Sequence, residues 1–391
     1  MAGRATLAYF GADDVMLVGN PEITYFLERY SAPIPFAKRL EVISFDTQVK
    51  FDGESTVQIP KRGEMISNLY LKFTTPQLNA AICDSAMTYM IESVELYLGG
   101  QLVERLYGEY IEMMNDLKTP KGKQATLRYL TGKVYPETSS TVNSVYTIPL
   151  PFSCLVKGLE IDDSYIEFRV VLKSSTTFTI NPVILWVTPL NIQLLVEYVY
   201  LNIKLDRKIQ MYEQVQRVEF IAPAGLNNVR LQLGLMNPVK EMFYVIQNSG
   251  AFGYDYTTNG VFSLDGKSYT NGTTEQLSNL VLKFNNVERI DKNIGTPLFL
   301  RVIQPMEYHT RVPDRKFYMY SFSLDPENLA VPTGQVNMSR ISNQILEITM
   351  NPSAQSRFIR IYAVSYNFIQ DGKVLFNNLE DAGELRTFQG N

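Results

Sequence analysis

The stretch Tyr318-Met-Tyr-Ser-Phe-Ser-Leu-Asp-Pro-Glu-Asn-Leu-Ala-Val-Pro-Thr-Gly-Gln-Val-Asn-Met-Ser-Arg-Ile-Ser-Asn343 decides the fold class of this chain. Residues 318–324 alternate Tyr, Phe and Leu with Met and Ser, which is the period of two that a half-buried strand requires. Pro326 then ends the strand because its nitrogen carries no hydrogen for the ladder, and Pro332-Thr-Gly334 makes a second turn. The stretch therefore predicts a chain that leaves one β-sheet and enters another.

Short apolar stretches separated by turn residues recur along both halves of the chain. In the first half they predict strands at Gln48–Phe51, Asn68–Phe73, Ser93–Leu98, Val145–Ile148, Tyr165–Leu172, Phe178–Ile180 and Ile192–Tyr200. In the second half they predict strands at Val229–Met236, Met242–Gln247, Leu280–Phe284, Leu298–Val302, Phe317–Leu324, Ile345–Met350 and Arg357–Phe368. Roughly seven or eight strands in each half fit two jelly rolls. A chain of 391 residues suffices for two domains of about 190 residues each.

The composition favours a folded β protein and excludes several functions. Apolar residues make up 45% and charged residues 19%, with 24 Tyr and 21 Phe. The 36 Lys and Arg against 40 Asp and Glu lack the basic excess that coating a nucleic acid requires. Cys83 and Cys154 lie in apolar surroundings, which predicts free thiols in a reducing compartment. We see no secretion signal or spanning helix, and we expect the chain to stay in the cytosol.

The predicted domains follow from these patterns. They are an N-terminal arm over 1–35, a first barrel over 36–202, a linker over 203–216 and a second barrel over 217–391. In the arm, Asn20 as N-cap and Pro21 at the first helical position predict a short helix. Its apolar face includes Ile23 and Phe26, candidate contacts to a neighbouring subunit or an underlying protein. Charged residues interrupt the apolar rhythm over the linker.

Two pairs of segments echo each other between the halves. Val94–Arg105 and Leu280–Arg289 each contain a strand pattern, a small-residue turn and Val-Glu-Arg. A fainter echo pairs Leu195–Asn202 with Ile361–Asn367, and together the echoes indicate an internal duplication. Gly99-Gly100 predicts a two-residue hairpin turn. The apolar spacing over 108–118 predicts a short helix between strands.

Several motifs are similar to those of the double jelly-roll major capsid proteins of nucleocytoplasmic large DNA viruses. Residues 318–343 resemble the family's Tyr-Ser-Phe-x-Leu-x-Pro-Glu segment and the Pro-x-Gly-x-x-Asn-x-Ser-Arg-Ile that follows it. The other stretches that resemble the family are Gly19–Phe26, Pro60–Leu69, Gly99–Tyr110, Ile148–Phe152, Asn237–Phe243 and Gln304-Pro305. The resemblance is thus spread along the whole sequence.

This resemblance implies an all-β protein built from two consecutive eight-stranded jelly-roll barrels with a short N-terminal helix. It also implies a structural protein whose homotrimers form pseudo-hexagonal capsomers that tile an icosahedral virion shell. The implied partners are neighbouring capsomers and minor capsid or inner-membrane-associated viral proteins, with assembly in the host cytoplasm. Because the loop over 251–275 is short for the family, a minor capsid component of the same fold stays an alternative.

We predict no catalytic, cofactor or metal site. The single histidine, His309, excludes a barrel that binds a metal through several histidines, and we interpret it as an ordinary loop or strand-end residue. Asn271 begins the sequon Asn271-Gly-Thr273 and is a candidate glycosylation site.

One aromatic loop carries the remaining candidate residues. Phe252, Tyr254 and Tyr256 are candidate contacts between subunits, because aromatic side chains are enriched at interfaces. The same tyrosines, with Tyr269, would instead stack on sugars if the protein were a monomeric carbohydrate-binding β-sandwich. That binding module is the alternative from a different functional class.

Overall fold

Several strands bury every second side chain, among them Ile166–Leu172 and Asn228–Gln232, as expected for sheets with one face on a core. The computed structural model describes residues 34–75, 83–132, 144–161, 165–174, 177, 191–203, 209–262, 269–270, 272–370, 372–376 and 385–387. The strands of the first half are β1 Phe36–Ser44, β2 Gly53–Ile59, β3 Met65–Thr75, β4 Ile91–Leu98, β5 Gln101–Tyr107, β6 Ser144–Leu150, β7 Leu159–Glu160, β8 Ile166–Leu172 and β9 Asn191–Leu201.

These strands form two sheets that enclose the first core. One sheet has the order β1-β9-β3-β6, with the short β7 beside β3, and the other has the order β2-β8-β4-β5. If β7 is set aside, the first sheet joins the first, eighth, third and sixth strands, and the second joins the second, seventh, fourth and fifth. This is the strand order of a jelly roll, which is built from two Greek keys.

The second half repeats this order. Its strands are β10 Ile209–Ala222, β11 Asn228–Gln232, β12 Pro238–Asn248, β13 Val261–Phe262, β14 Tyr269–Thr270, β15 Leu277–Phe284, β16 Val287–Ile290, β17 Tyr318–Ser321, β18 Val336–Asn337, β19 Gln344–Met350, β20 Arg357–Gln370, β21 Lys373–Val374 and β22 Leu385–Thr387. One sheet, here called the central sheet, has the order β17-β12-β20-β10-β22, and the opposite sheet has the order β11-β19-β15-β16. The long strands again follow jelly-roll order, so the predicted double jelly roll is confirmed.

Helices occupy the connections between strands. They are α1 Ala86–Tyr89, α2 Gly108–Lys118, α3 Gln124–Thr131 and α4 Gln304–Tyr308, and a π-helix over Phe299–Ile303 runs directly into α4. The helix predicted over 108–118 is therefore confirmed as α2. It lies between the fifth and sixth strands of the first barrel, the position that the π-helix and α4 occupy in the second.

The central sheet is buried on both faces. Alternate side chains of its strands point into the second core, among them Tyr244 and Ile361. The side chains between them, such as Phe243 and Tyr362, belong instead to the first core. This explains why β12 is buried along almost its whole length, whereas an ordinary outer strand buries only every second residue.

The sequence echoes coincide with equivalent strands. The first echo covers β4 and β5 in one barrel and β15 and β16 in the other, which are the fourth and fifth long strands of each. The second echo covers β9 and β20, the eighth strands. The predicted hairpin at Gly99-Gly100 is present, with φ angles of 59° and 80°.

Three predicted segments differ from the structure. Gln48–Phe51 precedes a strand instead of forming one, and β1 and β2 are not predicted at all. Leu298–Val302 is helical, although its run of apolar residues favours a strand. The charged linker predicted over 203–216 gives way to β10 at Ile209, and Glu213 within it is buried and paired with Lys240 of β12. The predicted N-terminal helix and the strand at Phe178–Ile180 lie outside the described residues.

Candidate functional site: the contact between the two barrels

Helix α2 of the first barrel lies on the outer face of the central sheet of the second. Its Tyr110 ring packs against Phe243 of β12 and Tyr362 of β20, with centroid distances of 6.2 and 6.3 Å. Tyr107, which precedes the helix, also meets Tyr362 at 5.9 Å. We call this α2 surface, together with the face of the central sheet that it covers, the inter-barrel contact. Aromatic pairs of this geometry add about 0.5–1.5 kcal/mol each beyond the area they bury.

A row of acidic side chains on α2 meets arginines from the second half of the chain. Glu109 pairs with Arg360, at 2.7 Å from its Nε and 2.8 Å from an Nη. Farther along the helix, Glu112 lies 3.2 Å from Arg315. These carboxylates are spaced three residues apart and therefore share a side of the helix.

The row continues one turn later at Asp116. Its carboxylate accepts a hydrogen bond at 2.9 Å from Arg311. It also accepts from the backbone nitrogens of Asp314 and Arg315, at 3.2 and 3.3 Å. Asp116 is buried, so its charge has exchanged water for these donors. The helix is thus fixed to the second barrel along its whole length.

Glu109 is the centre of a dense hydrogen-bond network in the inter-barrel contact. Besides Arg360, it accepts from the hydroxyls of Tyr362 at 2.5 Å and Tyr256 at 2.9 Å. Burial by itself would raise the pKa of Glu109, but the charge and hydrogen bonds of Arg360 outweigh it and hold that pKa below its ordinary value. The network therefore contains an ionised carboxylate with four donor contacts.

A polar cavity of about 240 Å³ lies beside this network. Arg217 of β10 extends across it to Glu92 at 2.8 Å and lies 4.3 Å above the ring of Tyr107. Lys173 is 3.8 Å from Glu92, and burial lowers the pKa of this lysine. Each of these charges has an opposite charge beside it, which indicates a structural role for the cavity.

His309 occupies a second buried cluster on the central sheet. It follows α4, with Nδ1 at 2.9 Å from Glu327 and Nε2 at 3.1 Å from Glu241. Burial opposes the charged imidazolium, but hydrogen bonds to Glu241 and Glu327 raise the pKa of His309 above its ordinary value. The neighbouring Lys240 bonds to Glu213 of β10. His309 does lie in a loop, as predicted, but it is not an ordinary loop residue, because it is buried between two carboxylates.

Glu104 of β5 links the first barrel, through hydrogen bonds, to β10 at the start of the second barrel. It accepts from the backbone nitrogens of Ser153 and Cys154, at 2.9 and 3.1 Å. The Ser153 hydroxyl in turn accepts from the backbone nitrogen of Glu213 at 2.7 Å. Burial raises the pKa of Glu104 to about 7 despite these hydrogen bonds. This carboxyl group therefore takes up a proton near neutral pH.

The predicted loop contacts have a different role in the structure. Phe252, Tyr254 and Tyr256 are buried in the first core, and Tyr254 packs edge-on against Tyr89 at 4.9 Å. Assigning these three side chains to a contact between subunits, or Tyr254 and Tyr256 to sugar stacking, is therefore incorrect: their apolar surface is already covered within one chain. They instead connect the second half of the chain to α1 and α2.

The remaining candidates cannot be placed. Ile23, Phe26 and Asn271 lie outside the described residues. Among the residues that are described, no group of three or more His, Cys, Asp or Glu side chains could hold a metal ion. No helix in the same part of the chain is long and apolar enough to cross a membrane.

Sequence reasoning missed the acidic row on α2 and its arginine partners. The spacing of Glu109, Glu112 and Asp116 was visible as a charged stripe on a helix that is otherwise apolar. A charged stripe usually marks a solvated face. The arginines lie some 200 residues away in sequence, at separations of 251, 203 and 195. Only the fold brings them to the helix.

Two family models match the chain. The model described as "Major capsid protein N-terminus" matches residues 24–161, and that described as "Large eukaryotic DNA virus major capsid protein" matches residues 206–373. One similar protein is the "Major capsid protein" of Pyramimonas orientalis virus, 25% identical over 405 residues, which cover 94% of this chain and 96% of the relative.

Solved structures support the fold. A chain of the "PBCV-1 virus capsid, quasi-atomic model" superposes with a TM-score of 0.78 at 19% identity, covering 91% of this chain and 100% of that one. The "Faustovirus major capsid protein" gives a TM-score of 0.71 at 12% identity, covering 94% of this chain and 96% of that one. At these identities, the likeness concerns the architecture of the two barrels.

Proposed function

The chain belongs to the major capsid protein family of large eukaryotic DNA viruses, and from this premise we propose that three copies form a pseudo-hexagonal capsomer that tiles an icosahedral shell. Like its relatives, it is a structural component of the virion capsid and not an enzyme. The neighbouring capsomers and the minor or inner-membrane-associated viral proteins are its partners in this proposal. Assembly takes place in the host cytoplasm.

One observation carries the proposal: two barrels of the same strand order are packed head to tail within one chain. The connection after the fifth strand of the first barrel lies on the sheet of the second, so the two barrels use different surfaces in their contact. A head-to-tail contact between like units forms a ring if its rotation closes. Three chains of two barrels each would then give six wedges and a nearly hexagonal outline.

The ion pairs of the inter-barrel contact support a rigid wedge. Arg360, Arg315 and Arg311 fix α2 to the second barrel. The outer surfaces of the two barrels therefore keep a constant orientation relative to each other. A lattice of identical capsomers needs this constancy, because many shallow lateral contacts must form at the same time. The principal coat role fits these features and the names of the relatives better than a minor role.

The test is the mass of the purified chain in solution, measured by light scattering across a dilution series. Three chains of 44.6 kDa predict about 134 kDa. A persistent trimer is the expected result, because a capsomer must exist at low concentration before the shell forms. A persistent monomer of 44.6 kDa at every concentration would contradict the proposal.

A further inference from the structure

The second barrel carries an uncovered counterpart of α2. Between its fifth and sixth long strands lie residues 298–308, which comprise the π-helix and α4. Helix α2 is buried along nearly its whole length, but in the 298–308 segment Leu298 is 65% exposed and Met306 is 67% exposed. Val302 lies between them and is half-buried. A spacing of four residues places the three apolar side chains along one side of the segment.

The first barrel has an uncovered counterpart of the central sheet. In the β1-β9-β3-β6 sheet, Tyr70 of β3 lies opposite Leu195 of β9, and both side chains are half-buried. Their neighbours Leu69 and Val196 are buried in the first core, so Tyr70 and Leu195 point outward. On β6 of the same sheet, Val145 is 57% exposed.

Strand β1 adds more apolar surface to this outer face. Lys38 Nζ lies 3.2 Å from Glu197 Oε2, and Glu197 alternates with core residues of β9, so Lys38 is on the outer face. Alternation along the strand places Leu40 and Val42 on that face as well. They are 52% and 54% exposed. We call this set the sheet face: Leu40, Val42, Tyr70, Val145 and Leu195.

We propose that the 298–308 segment of one copy packs on the sheet face of the next copy. The inter-barrel contact within the chain is the precedent. There the connection after the fifth strand of the first barrel covers the outer face of the central sheet, which contains the first, eighth, third and sixth long strands of the second barrel. Each chain has one more such connection and one more such sheet, and both leave apolar side chains exposed. A second copy of this chain supplies the missing half of each contact.

This assignment rests on the proposed trimer and specifies its interface. The contact is heterologous, because each copy gives its 298–308 segment to one neighbour and its sheet face to the other. Repeated around the ring, it alternates with the inter-barrel contact. Substituting one residue of the contact therefore changes every junction between copies at once.

Single glutamate substitutions test both sides of the contact. Met306→Glu alters the segment and Leu40→Glu alters the sheet face, each at an exposed position where a charge is tolerated in the isolated chain. The expected result for both is a mass of 44.6 kDa at a concentration where the unaltered chain is trimeric. Tyr165→Glu is the matched control and stays trimeric, because Tyr165 is 45% exposed and lies next to β8, in the β2-β8-β4-β5 sheet of the first barrel. Circular dichroism confirms that each variant is folded.

Cross-linking tests the direction of the contact. A chain with both Leu40→Cys and Met306→Cys is treated with a short bismaleimide, while the native Cys83 and Cys154 are buried in the fold. The expected product is a covalent trimer. Each single cysteine variant alone stays unlinked, and a mixture of the two gives covalent dimers. Linking of a single variant to itself would show a two-fold contact and overturn the proposal.

The results separate this inference from the proposed function. If the unaltered chain is trimeric but both glutamate variants stay trimeric and the paired cysteines stay unlinked, the interface lies elsewhere. The inference then fails, while the capsomer proposal stands. If the unaltered chain is monomeric, both fail.

Discussion

Arg360 of β20 donates two parallel hydrogen bonds to Glu109 of α2, at 2.7 and 2.8 Å, although 251 residues separate them. Both side chains are largely removed from water. A bidentate pair between arginine and carboxylate adds geometric specificity as well as energy. It is the first of three ion pairs that fix α2 to the second barrel.

We expect Glu109→Ala to lower the free energy of unfolding by about 3–5 kcal/mol, because it leaves a buried guanidinium without its carboxylate. The matched control is Glu54→Ala. It removes an ion pair with Arg169 at 3.2 Å in which Glu54 is half exposed, and should cost under about 1 kcal/mol. Urea unfolding followed by fluorescence measures both, and equal small losses would contradict the assigned role of Glu109.

His309 should make stability depend on pH. Its folded pKa is raised above the ordinary 6.5, so its contribution is complete below pH 6.5 and is lost as pH rises through the folded value. The pKa values of Glu241 and Glu327 are each lowered to about 2, since their bonds to His309 and, for Glu241, the charge of Lys240 outweigh burial. Their contribution is present above about pH 4.5 and is lost as pH falls toward 2.

The cluster should therefore stabilise the fold most between about pH 4.5 and 6.5. We expect His309→Gln to lose the most stability relative to the unaltered chain in this window, with a smaller difference at pH 9. Glu213 and Lys240 also face the cluster and keep their own pair in both proteins. Urea unfolding at a series of pH values gives the difference, and two parallel curves would be evidence against the buried imidazolium.

The two hairpins make a prediction about turn residues. Gly99 and Gly100 have φ angles of 59° and 80°, and the equivalent turn of the second barrel holds Asn285 and Asn286 at 48° and 67°. Asparagine tolerates this left-handed region far better than a β-branched residue. A Cβ at either glycine would meet nothing within 4 Å, so only backbone strain matters.

Replacing both glycines by asparagine should therefore change stability little, whereas Gly100→Val should cost about 1–2 kcal/mol. Thermal unfolding of the two variants, compared with the unaltered chain, measures the cost. A valine variant as stable as the asparagine variant would mean that this turn changes conformation when the glycine is replaced.

The two thiols should be inert in the folded protein. Cys83 and Cys154 are fully buried, and burial raises the pKa of each thiol, which disfavours the reactive thiolate. We expect no reaction with a thiol-specific reagent under native conditions and two reactive thiols per chain in denaturant. Fast labelling of the native protein would mean that these parts of the first core open readily.

The strand pattern predicted the parts of the fold that have one buried face or a distinct turn. The hairpin at Gly99-Gly100 and the long strands β12, β19 and β20 follow directly from turn chemistry and from dense apolar patterns. The pattern does not predict strand β1, because its apolar and charged residues do not alternate regularly, as Lys38-Arg39-Leu40 shows. Local patterns do not distinguish such a strand from a loop.

The 298–308 segment shows a different limit. Its apolar run favours a strand by composition, yet it is helical with part of that apolar surface exposed. Patterns identify side chains that avoid water, but they do not say whether the covering surface belongs to the same chain. The inter-barrel contact was unpredictable for a related reason, since Glu109 and Arg360 become neighbours only after both barrels have formed.

The acidic row on α2 also matters while the chain is being synthesised and has not yet folded completely. The first barrel leaves the ribosome before the second, so α2 waits in water until β10, β12 and β20 have been synthesised. During that interval Glu109, Glu112 and Asp116 place three carboxylates on the exposed docking surface. Because like charges repel, the docking surfaces of two nascent chains would repel each other. The same carboxylates that later bind three arginines thus carry like charge on the docking surface until the second barrel has formed.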